Sequence, residues 1–187
     1  MLTSRRFFLG GLGAYVGCAL SENVAFASLA REIALSELLA QSDHAVVATP
    51  LDAAPTWAVL GGKRRIVTDV RARVEEVLAL RAPPQNEIVV RVLGGVLDGV
   101  GQLVEGEVRM AFGEPCALFV KSGSAALSYV TGRTQGHYPL RPDAQKVLRL
   151  APSPTLPELQ HPERSAVHTL SGHTLAEARE LLRGAAP

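Results

Sequence analysis

Four residues near the C-terminus, His161, Glu163, His168 and His173, fall within thirteen positions and are the first group to weigh as a metal site. A zinc site on a helix wants two ligands four residues apart on one face. No pair here has that spacing and the segment is rich in proline, so the histidines read as loop residues and no metal is expected. Cys116, in the apolar run "PCALFV", has no cationic neighbour and reads as a buried, inert thiol. Ser122, Ser124 and Ser128 lack the G-x-S-x-G setting of a nucleophile elbow. His44 and His137 stand beside predicted strands and read as structural or surface groups. The catalytic alternative is a hydrolase whose site is assembled in space from His137, Tyr138 or the C-terminal histidines.

The glycine-rich stretch "RVLGGVLDGVGQLVEGE", Arg91 to Glu107, carries five glycines in seventeen residues. A phosphate cradle needs backbone N–H groups backed by a helix start or a lysine, and this stretch offers neither. No nucleotide or other cofactor is therefore expected. Asp98-Gly99, between Leu97 and Val100, has instead the form of a two-residue hairpin turn. Gly94-Gly95 releases the chain from one strand and Gly106 admits it to the next. If the stretch serves function, it does so as a loop at a strand rim, with Gly94, Gly95, Asp98, Gly99 and Gln102 as the candidate binding residues.

The elements that must position such a loop are mostly strands. "RRIVTDVRARVEEVLAL" alternates from Ile66 to Val74, with Ile66, Thr68, Val70, Ala72 and Val74 on one side. The phase slips at Glu75-Glu76, which predicts a β-bulge there, with Val77 taking up the apolar role. A helical reading of this run has good propensities but requires the alternation to be accidental. "DHAVVATPL" is a short β-branched run stopped by Pro50. "NEIVVRVL", "PCALFVKS", "ALSYVTG", "HYPLRP" and "KVLRLA" follow, each bounded by turn-forming residues. Many short strands with hairpin-length links predict a mainly β, antiparallel barrel. A short N-terminal helix ends near Gln41. "APSPTLPELQHPERS" reads as an extended tail. It leads to a short C-terminal helix with a Thr174/Glu177 capping box and a stop at Gly184.

At the N-terminus, Ser4, Arg5 and Arg6 precede Phe8 and Leu9, and a glycine-rich apolar stretch runs to Leu20. This resembles a twin-arginine export signal, departing from it in having no lysine after Leu9. Ala25-Phe26-Ala27 has the small-x-small form of a cleavage site. The expected organisation is a signal peptide over 1–27, a barrel domain over 28–150, and a tail with a capping helix over 151–187. Retention as a membrane anchor and lipidation at Cys18 are the alternatives. Partners during export would be the twin-arginine machinery and signal peptidase. Without residues 1–27, which hold Arg5, Arg6 and Glu22, the chain is formally neutral. No basic block stands out and aromatics are 5%, so no nucleic-acid or anionic-membrane footprint is expected, and no stable membrane span in the mature form.

In order along the chain, "SDHAVVATPL", the strand ending "VEEVL", the glycine turn, "GEPCALFV" and "QGHYPL" resemble an uncharacterised family of small exported bacterial proteins. The match covers about residues 36 to 141. The layout is also similar to netrin-like and tissue-inhibitor-of-metalloprotease modules, which are five-stranded OB-type barrels. The resemblance implies an OB-like barrel. Those modules grip a catalytic zinc through an N-terminal cysteine. No cysteine stands near Ser28, so that mechanism does not carry over. The expected role is an exported, periplasmic binding or accessory module without catalysis, its surface around Arg71, Arg73, Arg91 and Gln102. Regulation of a secreted protease is a further alternative.

Overall fold

A computed structural model describes residues 29–81, 83 and 85–185. Ser4, Arg5, Arg6, Phe8, Leu9, Ala25, Ala27 and Cys18 lie outside the described residues. The chain is mainly β. Helix α1 (Leu35–Ala40) is followed by the strands β1 (His44–Leu60), β2 (Lys63–Leu80), β3 (Glu87–Leu93), β4 (Gly95–Leu97) and β5 (Val100–Gln102). After a long irregular segment come β6 (Cys116–Ser122), β7 (Leu127–Val130), β8 (His137–Pro142) and β9 (Leu148–Leu150), then α2 (Ala166–Leu170) and α3 (Leu175–Ala185).

Seven strands form one sheet in the order β1-β2-β3-β7-β6-β8-β9, and β6 also pairs with β1 through His44–Ala48. All pairings are antiparallel except β3 with β7. The pairing of β1 with β2 skips Glu75, where the alternation slips, and skips Leu78 as well. The second bulge changes which residue turns inward, so Leu78 is buried and Val77 is exposed, against the sequence expectation. Pro50 does not end β1. The partner β6 leaves β1 at Ala48, so the outer edge beyond it has no strand to pair with, and proline is tolerated on such an edge. The strand continues through Pro55 to a two-residue turn at Gly61-Gly62, both at positive φ.

Strands β1 and β6 are apolar on both faces because both faces are covered. Ala45, Val47, Ala117 and Phe119 face one core with α1, α2 and α3. Val46, Ala48, Cys116, Leu118 and Val120 face a second core with Val70, Ile88 and Val90 from β2 and β3. This two-sided burial explains the unbroken runs "AVVA" and "CALFV" where a half-exposed strand would alternate. The first core stacks Phe119 edge-on against Tyr138 at 5.9 Å and buries Leu38, Leu170 and Leu182. Each such leucine contributes about 2 kcal/mol of apolar burial. A helix as short as α1 would not persist in water, so this packing holds it.

The proline-rich segment is extended as expected but docked. Leu159 is buried and Ala30 donates to the Glu158 carbonyl at 2.8 Å. The capping box forms, with the Thr174 N–H donating to the Glu177 carboxylate at 2.7 Å and the Glu177 N–H to Thr174 Oγ1 at 3.3 Å. Gly184 lies within α3 rather than ending it.

Candidate functional site

The glycine stretch folds into the β4–β5 hairpin. Asp98 (φ 53°) and Gly99 (φ 74°) make its two-residue turn, the left-handed pair that Asp-Gly supplies. Gly94 has φ 93°, and a Cβ there would stand 2.6 Å from the Gln102 carbonyl oxygen. The hairpin is not a free rim loop, because polar contacts fix it to β1 and β2. The Gln102 amide accepts from the Ile66 N–H at 3.0 Å and donates to the Ile66 carbonyl at 3.3 Å. Thr68 Oγ1 donates to the Gly94 carbonyl at 2.7 Å, and the Trp57 indole donates to Asp98 at 3.3 Å.

Between this hairpin, the adjoining parts of β2 and β3, and the irregular segment 103–112 lies a cleft of about 570 Å³. Gly94, Gly95 and Gln102 line it, whereas Asp98 and Gly99 turn the hairpin away from it. Its floor is Val70, Val92 and Val108, which belong to the second core. Leu103 and Phe112 stand over it with 76% and 59% of their surface exposed. Apolar side chains dominate this concave surface, the pattern of a small-molecule site.

One carboxyl sits among them. Glu107 is only 8% exposed. Its Oε1 accepts from the Val108 N–H at 3.2 Å, and its main-chain carbonyl accepts from Thr155 Oγ1 at 2.8 Å. Burial raises its pKa above the ordinary carboxylate range. The Val108 N–H, the Arg133 charge and the Leu93 N–H oppose that shift without cancelling it. Among the described residues Glu107 is the only acid lining the cleft, and Arg109 lines it too.

The other residues singled out in the sequence lie elsewhere. Arg91 forms a two-pronged pair with Asp69 at 2.6 and 2.7 Å directly across β2 and β3. Arg71 pairs with Asp52 and Glu87, and Arg73 with Glu75 at 2.9 Å. Arg91 and Arg71 are held by acids on neighbouring strands and Arg73 by an acid on its own strand, and none of the three lines the cleft. His137 is 1% exposed and its Nδ1 lies 2.9 Å from Ser153 Oγ. Burial, then the Arg141 charge, pull its pKa down to about 4. Tyr138 is fully buried and its hydroxyl has no partner among the described residues. Burial pushes the Cys116 thiol up to about 12, so it is no nucleophile at neutral pH. His161 stands 3.8 Å from Glu163 and His173 3.6 Å from Glu177, as two separate surface pairs.

Two features escaped the sequence. Glu107 sits in "VEGEVRMAF", where nothing marks this glutamate as buried; only the path of the chain over the second core does so. The second is the contact between His44 and Ser122, two residues the sequence offered only separately. The His44 Nδ1 lies 2.8 Å from the Arg81 carbonyl, which can only accept, so Nδ1 carries the proton and Nε2 is left to accept from Ser122 Oγ at 3.4 Å. Neither His44 nor Ser122 lines the cleft.

A second groove, of about 750 Å³, runs between α1 and α3, and Glu177 and Glu180 at its rim are exposed. The cleft over the second core is the better candidate because it combines apolar walls with a buried ionisable group. No protein-family model matches the chain, and no curated protein matches it.

Proposed function

We propose that this chain is an exported binding module on an OB-like barrel, holding a largely apolar ligand in the cleft with a cationic or hydrogen-bond-donating group of that ligand against Glu107. The observation that carries the reading is the single buried carboxyl in a mainly apolar cleft, whose other charged lining residue, Arg109, is exposed. A carboxylate short of solvent gains most from a ligand that returns a charge-assisted hydrogen bond. The role is binding, since no second acid, histidine, serine or cysteine lines the cleft among the described residues. The barrel reading is supported by the pairing of β1 on both edges and by the parallel β3–β7 contact, with bulges bending β1 and β2. Export rests on the N-terminal sequence, with the periplasm as the expected compartment.

The test uses the purified chain from Ser28 and a neutral apolar dye, N-phenyl-1-naphthylamine, displaced by octylamine or by octanol. Octylamine is expected to compete at least about tenfold better, the worth of one charge-assisted hydrogen bond, and Glu107→Gln to remove that preference. Equal competition by both compounds in the unaltered protein would sink the reading.

A second reading, hydrolysis, is favoured by the Ser122–His44 pair, in which the Arg81 carbonyl fixes the imidazole as a base toward a hydroxyl. A fluorophosphonate that labels the protein at a residue other than Ser122, or not at all, disposes of it.

A further inference from the structure

The strand β3 leaves β2 at Val67, so four residue pairs, Trp57↔Ile66 to Leu60↔Lys63, extend past the sheet as a two-stranded arm. At 3.4 Å per residue the arm reaches about 14 Å. A bare ribbon of this size would be marginal in water, and the β4–β5 hairpin stiffens it through Gln102 and Asp98. Its tip carries Lys63, Arg64 and Arg65, all exposed, and none is in an ion pair among the described residues. The Arg64 guanidinium lies 4.2 Å over the Trp57 ring, and the nearby acid, Asp98, is engaged by the Trp57 indole. Val59 on the arm is 72% exposed, and Val96 on the abutting hairpin is 70% exposed. Along the sequence three basic residues are too few to register, but the fold sets them at one projecting point beside apolar side chains.

We infer that this arm docks the protein on an anionic phospholipid surface. Three cations without acidic partners call for a polyanionic occupant. Val59, Val96 and the tryptophan decide which one, because a headgroup boundary accepts aliphatic and indole groups beside cations, whereas a nucleic-acid backbone leaves exposed valines in water. Among the described residues no helix is long and apolar enough to cross a membrane.

Trp57 is the only tryptophan of the chain and lies on the arm, so its emission reports the contact directly. Vesicles of phosphatidylcholine with one quarter phosphatidylglycerol are expected to shift that emission to the blue and to sediment the protein, while pure phosphatidylcholine does neither. The Lys63→Glu/Arg64→Glu/Arg65→Glu variant should partition at least about a hundredfold more weakly, and Val59→Asp about tenfold more weakly with the charges intact. Raising the salt from about 0.1 to about 0.5 M should weaken binding of the unaltered protein in the same direction, so the outcome does not depend on the variants folding. Equal binding to both vesicle types, binding that is insensitive to salt, or a folded triple variant that binds like the original overturns the inference. So does duplex DNA that displaces the protein from vesicles below the lipid concentration needed to hold it.

Discussion

Acidification from about pH 7 to pH 4 tests whether His137 is as deeply buried as its packing indicates. In the folded chain burial holds its pKa at about 4, against 6.5 for a free histidine. Between those values the unfolded chain takes up a proton that the folded chain refuses. Stability from this group is therefore complete above about pH 6.5, falls as pH drops through the window, and levels off below about pH 4. At about 1.4 kcal/mol for each tenfold difference in proton affinity, the loss is about 3 kcal/mol. Other groups titrate nearby. Glu107, raised by burial, works in the opposite sense, gaining stability as pH falls through its raised pKa, with the full gain present below the ordinary glutamate value. Asp43, lowered first by the Ser122 N–H, loses stability only below the ordinary aspartate value. Comparison with His137→Gln removes these common contributions. Urea unfolding followed by far-UV circular dichroism should show the original protein losing about 3 kcal/mol more than the variant over this interval. Parallel pH curves for the two proteins would mean that His137 titrates normally and is reached by water, and the reasoning would fail.

Two further substitutions test the hairpin and the first core. Gly94→Ala places a methyl against the Gln102 carbonyl in a left-handed conformation and should cost about 3 kcal/mol, whereas Gly99→Ala, with open space around it, should cost about 1 kcal/mol. Equal costs in urea unfolding would deny the close approach of Gly94 to Gln102. Tyr138→Phe removes a buried hydroxyl that has no partner and should stabilise the protein by about 1 kcal/mol, raising Tm by about 3 °C. A fall in Tm of that size would show that the hydroxyl is satisfied.

Much of the architecture was legible in the residues. Alternation from Ile66 to Val74 marked β2, the doubled glutamate marked a bulge, and Asp98-Gly99 marked the turn of a hairpin, because each is a local backbone requirement with a local signature. Leu60 to Lys63 carries an equally good Gly-Gly turn, but Pro50 and Pro55 masked the strand before it. Their tolerance depends on where β6 departs, which no local pattern records. The cleft was half legible. Gly94, Gly95 and Gln102 were picked out for their backbone freedom and position, and they line it. Glu107, Leu103 and Phe112 come from a segment without periodicity, and only tertiary packing assigns them to the same wall. The arginines drew notice as a surface, yet Arg91 and Arg71 are spent on Asp69 and Asp52 directly across the strands, a pairing set by register, and Arg73 on Glu75 of its own strand.

The sharing of β1 and β6 between two cores governs when the chain can become stable. The inner core draws on residues from Val46 to Val130, while the outer one waits for Leu170, Ala178 and Leu182 to cover Phe119 and Tyr138. Until Leu182 has been synthesised, two strands carry an apolar face that α1 and α2 cover only in part, and α1 lacks one of its two helical partners. Folding is therefore deferred and dominated by contacts distant in sequence, which makes it slow, with a sticky half-built sheet as its intermediate. The same arrangement ties the last helix to the first. Losing α3 to a protease would remove one of the two helices that hold α1 and uncover part of the backs of β1 and β6.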